Sequence, residues 1–154
     1  MPYLGGMSDS AEQRATDLFP IRIIAVALIL GPTIFLGVAF VLRATGSFES
    51  GEGLEQRDDI LHWALLALAM SAVTVHTLIP NLIRNKQGAT LESFRGMTII
   101  RLAACEAAAL FGTVCYLLTG RPMGAGVAIA MLGFALLLQF PTAERLDAWL
   151  DRND

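Results

Sequence analysis

Glu106 is the sharpest chemical feature of this sequence of 154 residues. It lies inside an otherwise apolar run that starts near Met97, about nine residues in, or roughly 14 Å deep as helix at 1.5 Å per residue. A carboxyl at the middle of a bilayer is costly and calls for a partner or a water-filled cavity. One that gains and loses a proton there could carry a proton or a sodium ion. His76, on the preceding apolar run, is the candidate partner for Glu106. Thr113 falls on the same helical face two turns on, so Glu106, His76 and Thr113 form the candidate ion-binding set. The competing reading is a carboxyl that hydrogen-bonds a neighbouring helix and does no chemistry.

Arg101 does not pair with Glu106 within one helix. Five residues at 3.6 per turn set the two about 140° apart. Arg101 is instead expected near the inner membrane boundary, where a long side chain snorkels to the headgroups. Trp63 and Trp149 are expected as the other interface anchors. Ala104, Ala108 and Gly112 form a small-xxx-small row that permits close helix contact. Cys105 and Cys115 are ten residues apart, roughly 15 Å along a helix, too far for a disulfide and too few for a metal cage. His62 and His76, on one helix and far apart, make a poor metal site, so neither a metal nor a cofactor is expected. The sequence has no Gly-rich phosphate loop, no HExxH and no GxSxG, and no catalytic residue is assigned. The chain reads as a non-enzyme.

The segment from Glu106 to Gly112, EAAALFG, resembles the carboxylate helix of rotary ATPase proteolipid subunits (subunit c): a buried Glu, then small residues, then an aromatic-Gly pair. That resemblance implies that Glu106 would carry the translocated ion. The whole chain looks like the many small four-helix membrane proteins of bacteria, which implies a fold but no activity.

The elements that must position these residues follow from composition. Hydrophobic residues make up 55% and charged residues 16%, against about 25% charged in soluble domains. With a net charge of -3 there is no basic face for nucleic acid. Charges cluster between four apolar runs, at about residues 21–42, 60–80, 97–119 and 123–140. Each comes close to the ~20 residues that a bilayer core requires of a helix, and lipid admits no unpaired backbone. The expected fold is all-α: one integral membrane domain, a four-transmembrane-helix bundle. A polar tail, residues 1–20, precedes it. Gly31-Pro32 is expected to kink the first helix.

Between helices two and three, a long loop from Asn81 to Gly96 is expected. A very short one at Gly120–Pro122 makes helices three and four a tight hairpin. After Pro141, Thr142 can cap a short interfacial helix over 142–151, with Leu146, Trp149 and Leu150 on one face laid on the headgroups. A faint internal repeat aligns Ile24, Gly37 and Leu42 with Ile99, Gly112 and Leu117, and Pro80 with Pro141. It would make the two hairpins parallel repeats; the competing reading is chance matching between apolar helices.

Lys and Arg placement sets orientation. Arg14, Arg22, Arg84, Lys86, Arg95, Arg101, Arg145 and Arg152 fall on one side, and Arg43, Arg57 and Arg121 on the other. Both termini are therefore expected in the cytoplasm, with the chain in the bacterial inner membrane. The expected partners are the lipid bilayer and either further copies of the chain or a larger membrane complex.

Overall fold

The computed structural model describes residues 5–47 and 58–151. They form five helices and no strand: α1 (Gly5–Ala44), α2 (Asp58–Gln87), α3 (Leu91–Thr119), α4 (Pro122–Leu138) and α5 (Ala143–Leu150). Three of them, α1, α2 and α3, are long and apolar enough to cross a membrane. A fourth crossing exists if α4 and α5, bent 68° at their junction, count as one span. At 17 residues, α4 is about 26 Å long, short of the ~30 Å hydrocarbon core.

The helices are longer than the apolar runs. Helix α1 begins within the segment expected as a polar tail and continues through Pro20 and Pro32. The long loop expected between helices two and three shrinks to Gly88–Thr90, because α2 runs through Pro80 to Gln87 and α3 begins at Leu91. Two local devices achieve this. Gly88 takes φ 72°, a left-handed conformation that ends α2. Thr90 then caps α3 reciprocally: its Oγ1 accepts from the Ser93 N–H at 3.1 Å, and the Thr90 N–H donates to Ser93 Oγ at 2.9 Å. The acidic connection with Glu49, Glu52 and Glu55 lies outside the described residues.

Helix α3 is the axis of the bundle. It packs against α1, α2, α4 and α5, whereas the α1 and α2 backbones do not come within 8 Å of each other, Cα to Cα, among the described residues. This corrects the expectation of two repeated hairpins: α3 and α4 form one, α1 and α2 do not. The physical reason lies at the α3–α4 crossing. A Cβ built on Gly112 would stand 2.7 Å from the Gly124 carbonyl oxygen, and one on Gly124 would stand 2.6 Å from both Gly112 O and Tyr116 N. The two backbones touch, as small residues allow in membranes. No such pair joins α1 to α2.

Three apolar clusters follow the bundle axis. Near the Gly88 turn, Leu18 and Ile21 of α1 meet Phe94 and Met97 of α3 and Leu146 and Trp149 of α5. At mid-height, Ala25, Leu102, Cys105 and Ala135 pack together. Toward the Gly120 turn, Leu36, Ala109, Ala125 and Ala128 do so. Large apolar side chains such as Ile23, Leu30 and Ile34 of α1 and Ile60, Trp63 and Met70 of α2 face outward, as lipid-facing positions do.

The glycine contact gives a paired test on one helix. Gly124→Ala should lower the melting temperature in detergent, with a cost of about 1–3 kcal/mol from overpacking against backbone. Gly126→Ala, where a Cβ meets nothing within 4 Å, should leave it unchanged or raise it. Equal melting of the two variants would show that the crossing is not tight.

Candidate functional site

The polar residues of the apolar segments sort onto different faces of α3. Glu106 turns toward α1: its Oε1 lies 3.9 Å from where a Gly31 Cβ would be. It is half-buried, and among the described residues it makes no hydrogen bond. Gly31 precedes Pro32, which has no N–H, so the Leu28 carbonyl loses its usual donor four residues on. Glu106 therefore faces the proline-containing turn of α1.

His76 does not join it. Nδ1 of His76 accepts from Arg101 Nε at 2.9 Å, and Arg101 Nη2 lies against both ring nitrogens. The imidazole also stands edge-on to Phe134 of α4, with ring centroids 4.9 Å apart. Thr113 is fully buried, and its hydroxyl donates to its own helix at Ala109 O, 2.9 Å. The candidate set Glu106, His76 and Thr113 is thus not brought together. The five-residue spacing of Arg101 and Glu106 is the cause: Arg101 lies on the α2 side of α3 and Glu106 on the α1 side.

Arg101, expected as an interface anchor, is engaged by His76. It is half-buried and turned into a cavity of about 320 Å³ between α2, α3, α4 and α5. Trp149, expected on the headgroups, is 5% exposed, and Leu146 is 2% exposed. The face of α5 expected to meet lipid is folded back onto α1 and α3. Ser93 makes this specific, because its buried hydroxyl accepts from Trp149 Nε1 at 3.3 Å. Leu150, assigned to the same face, is 38% exposed, while Trp63 is 72% exposed near the start of α2. Of the packing row, Ala108 is fully buried, Gly112 meets Gly124, and Ala104 is half-buried.

The cavity contains residues that the sequence reading passed over. Arg145, at the start of α5, donates from Nη2 to Leu137 O at 2.9 Å and from Nη1 to Phe140 O at 3.2 Å. It thereby closes the carboxyl end of α4. Gln139 is 4% exposed; its Nε2 donates to Cys105 Sγ at 3.1 Å, and its Oε1 is buried without a partner. Position in the chain was the available signal for both, since each flanks Pro141, where α4 gives way to α5. Cys105 and Cys115 are free and buried. No group of three or more His, Cys, Asp or Glu able to hold a metal occurs among the described residues.

Comparisons with protein-family models, curated proteins and solved structures found no match to this chain.

The Arg101–His76 contact predicts a graded response. His76→Ala removes the acceptor and should cost about 1–3 kcal/mol, the worth of a hydrogen bond to a charged group at a half-buried site. His76→Gln keeps an acceptor and should recover most of that. Thermal unfolding in detergent reads both. If His76→Ala melts with the parent protein, the contact contributes nothing to stability.

Proposed function

We propose that this chain is a four-span protein of the bacterial inner membrane, with both termini cytoplasmic, that serves as a non-enzymatic subunit or accessory of a larger membrane assembly. The observation that supports an assembly role is the face of α3 left open between α1 and α2. Gly96, Ile100, Ala103 and Ala107 recur there at helical spacing, and all are exposed. Small residues on a membrane-embedded helix face allow another helix to approach closely. The occupant is a second copy or a partner subunit. Counting the bent α4–α5 pair as the fourth span puts α5 on the same side as the α2–α3 turn, in keeping with the Lys and Arg bias.

A second reading has a specific observation behind it. Glu106 faces the Pro32 turn of α1 without a hydrogen-bond partner among the described residues. A carboxyl facing the turn that holds Gly31 and Pro32 offers oxygen ligands to a sodium ion, or a relay site to a proton. The resemblance of residues 106–112 to the proteolipid carboxylate helix points the same way. So does the short Gly88–Thr90 link, since the proteolipid carboxylate belongs to the second helix of a hairpin.

Two experiments test these readings. For assembly and topology, single cysteines at Ser47 and Asn85 are placed in a background lacking Cys105 and Cys115. An impermeant thiol reagent applied to intact cells should label position 47 and reach position 85 only after permeabilisation; the reverse would invert the orientation. In the same preparation Ala107→Leu should reduce the mass of the detergent-solubilised complex without lowering its melting temperature. An unchanged mass would remove the open face as an assembly surface. For the second reading, Glu106→Gln keeps shape and hydrogen bonding but cannot ionise. Proton or sodium flux into proteoliposomes should fall to background while folding survives, and a flux indifferent to the substitution would end that reading.

A further inference from the structure

The cavity at the α4–α5 bend is cationic among the described residues. Two guanidinium groups, Arg101 and Arg145, line it together with His76 and Gln139, and among the described residues no Asp or Glu lines it. Every hydrogen bond of the two arginines goes to a neutral group: the His76 ring and the Met97 sulfur for Arg101, the carbonyls of Leu137 and Phe140 for Arg145. A lone pair satisfies a donor but does not cancel a charge.

The two charges are not equally compensated. Arg145 stands at the carboxyl end of α4, where the helix dipole presents about half a negative charge. Arg101 has no such neighbour. Gln139 adds a third polar group that can turn to suit an anion. With its amide reversed, the oxygen accepts from the Cys105 thiol and the N–H₂ becomes a donor, in place of the buried Oε1 that now lacks a partner.

The walls and surroundings identify the kind of anion. Phe94 and Trp149 form apolar walls. Just before the cavity, at the end of α4, Leu136, Leu137 and Leu138 are exposed at 53%, 72% and 50%, a lipid-facing strip leading to the site. At ~30 Å³ per water, a space of about 320 Å³ holds roughly ten waters, enough for a headgroup and not for acyl chains. Basic pockets between membrane helices suit phosphate-bearing headgroups, which guanidinium binds in bidentate fashion.

We propose that this cavity binds the phosphodiester of an anionic phospholipid, with Arg101 as its main charge partner, Arg145 and Gln139 beside it, and the acyl chains lying along Leu136–Leu138. Such a lipid would fill the bend between α4 and α5 and tie the short fourth helix to α2 and α3. The inference requires only that the chain sits in a bilayer, and not the subunit role proposed above.

The test uses the full chain purified in a neutral detergent. Phosphatidylglycerol at about a hundredfold excess over its Kd should raise Tm by about 5 °C or more, while phosphatidylcholine and inorganic phosphate should not. Arg101→Gln should lose most of the shift, and Arg84→Gln, outside the cavity at the same end of the bundle, should keep it. Because Arg145 also closes α4, Arg145→Lys, which retains the charge, is compared with Arg145→Gln, and only the latter should weaken the response. An equal shift with phosphatidylcholine would overturn charge recognition. An equal shift with inorganic phosphate would overturn the lipid in favour of a free anion. No shift at all, or a full shift in Arg101→Gln, would overturn the site while leaving the membrane reading intact.

Discussion

Gly112 and Gly124 bring two helix backbones into contact where no side chain fits, and much of the bundle follows from that approach. A crossing this tight fixes α4 against one face of α3 and brings Ala109, Ala125 and Ala128 into one cluster with Leu36 of α1. The turn that allows it is equally constrained. Gly120 closes α3 with φ 71°, and its N–H donates to Tyr116 O. The Arg43 guanidinium lies directly over it, with Cζ 2.8 Å from where a Cβ would be. A side chain at position 120 would meet both a strained φ and that guanidinium. In a membrane the driving force for such contacts is packing itself, since lipid is as apolar as the side chains it would replace.

Once α3 is committed to α4 on one side, its remaining faces determine the other neighbours. Helix α1 takes the side carrying Glu106 and Leu102, and α2 takes the side carrying Arg101 and Cys115. The fourth side, with Gly96, Ala103 and Ala107, stays open because α1 and α2 do not meet across it. The arrangement is three helices around a central one rather than a closed ring of four. It leaves α2 the least enclosed of the long helices, held to α3 by apolar packing and by the Arg101–His76 contact.

The all-α class and the apolar runs were legible in the sequence because lipid permits no other backbone. So were the α3–α4 turn, the Thr142 cap and the burial of Ala108 and Gly112. Helix ends were not. Pro80 and the polar residues after it read as a loop, yet a helix leaving the hydrocarbon region can continue into water. The stop signal was Gly88, and the start signal was Thr90 with Ser93, a hydroxyl pair where a Glu or Gln partner is the usual sequence mark. The docking of α5 was hidden for a different reason. An amphipathic helix buries its apolar face equally well against lipid or protein, and periodicity does not distinguish them. The Ser93–Trp149 hydrogen bond that settles it joins residues 56 positions apart.

The same limit explains the candidate site. Sequence depth put His76 within reach of Glu106, but depth is one coordinate and the azimuth around α3 is the other. Spacings of three or four residues between Glu106 and a basic residue would have placed both on one face and let them neutralise each other. A spacing of five separates them. The carboxyl is delivered to the proline turn of α1, and the guanidinium to the bend between α4 and α5. Among the described residues each is then without an ion-pair partner at its own site, although α3 carries two charges of each sign, Glu92, Arg95, Arg101 and Glu106. A structural ion pair would have closed both places. Keeping them apart leaves an acidic and a basic position in the apolar stretch of α3, each open to something the described residues do not supply.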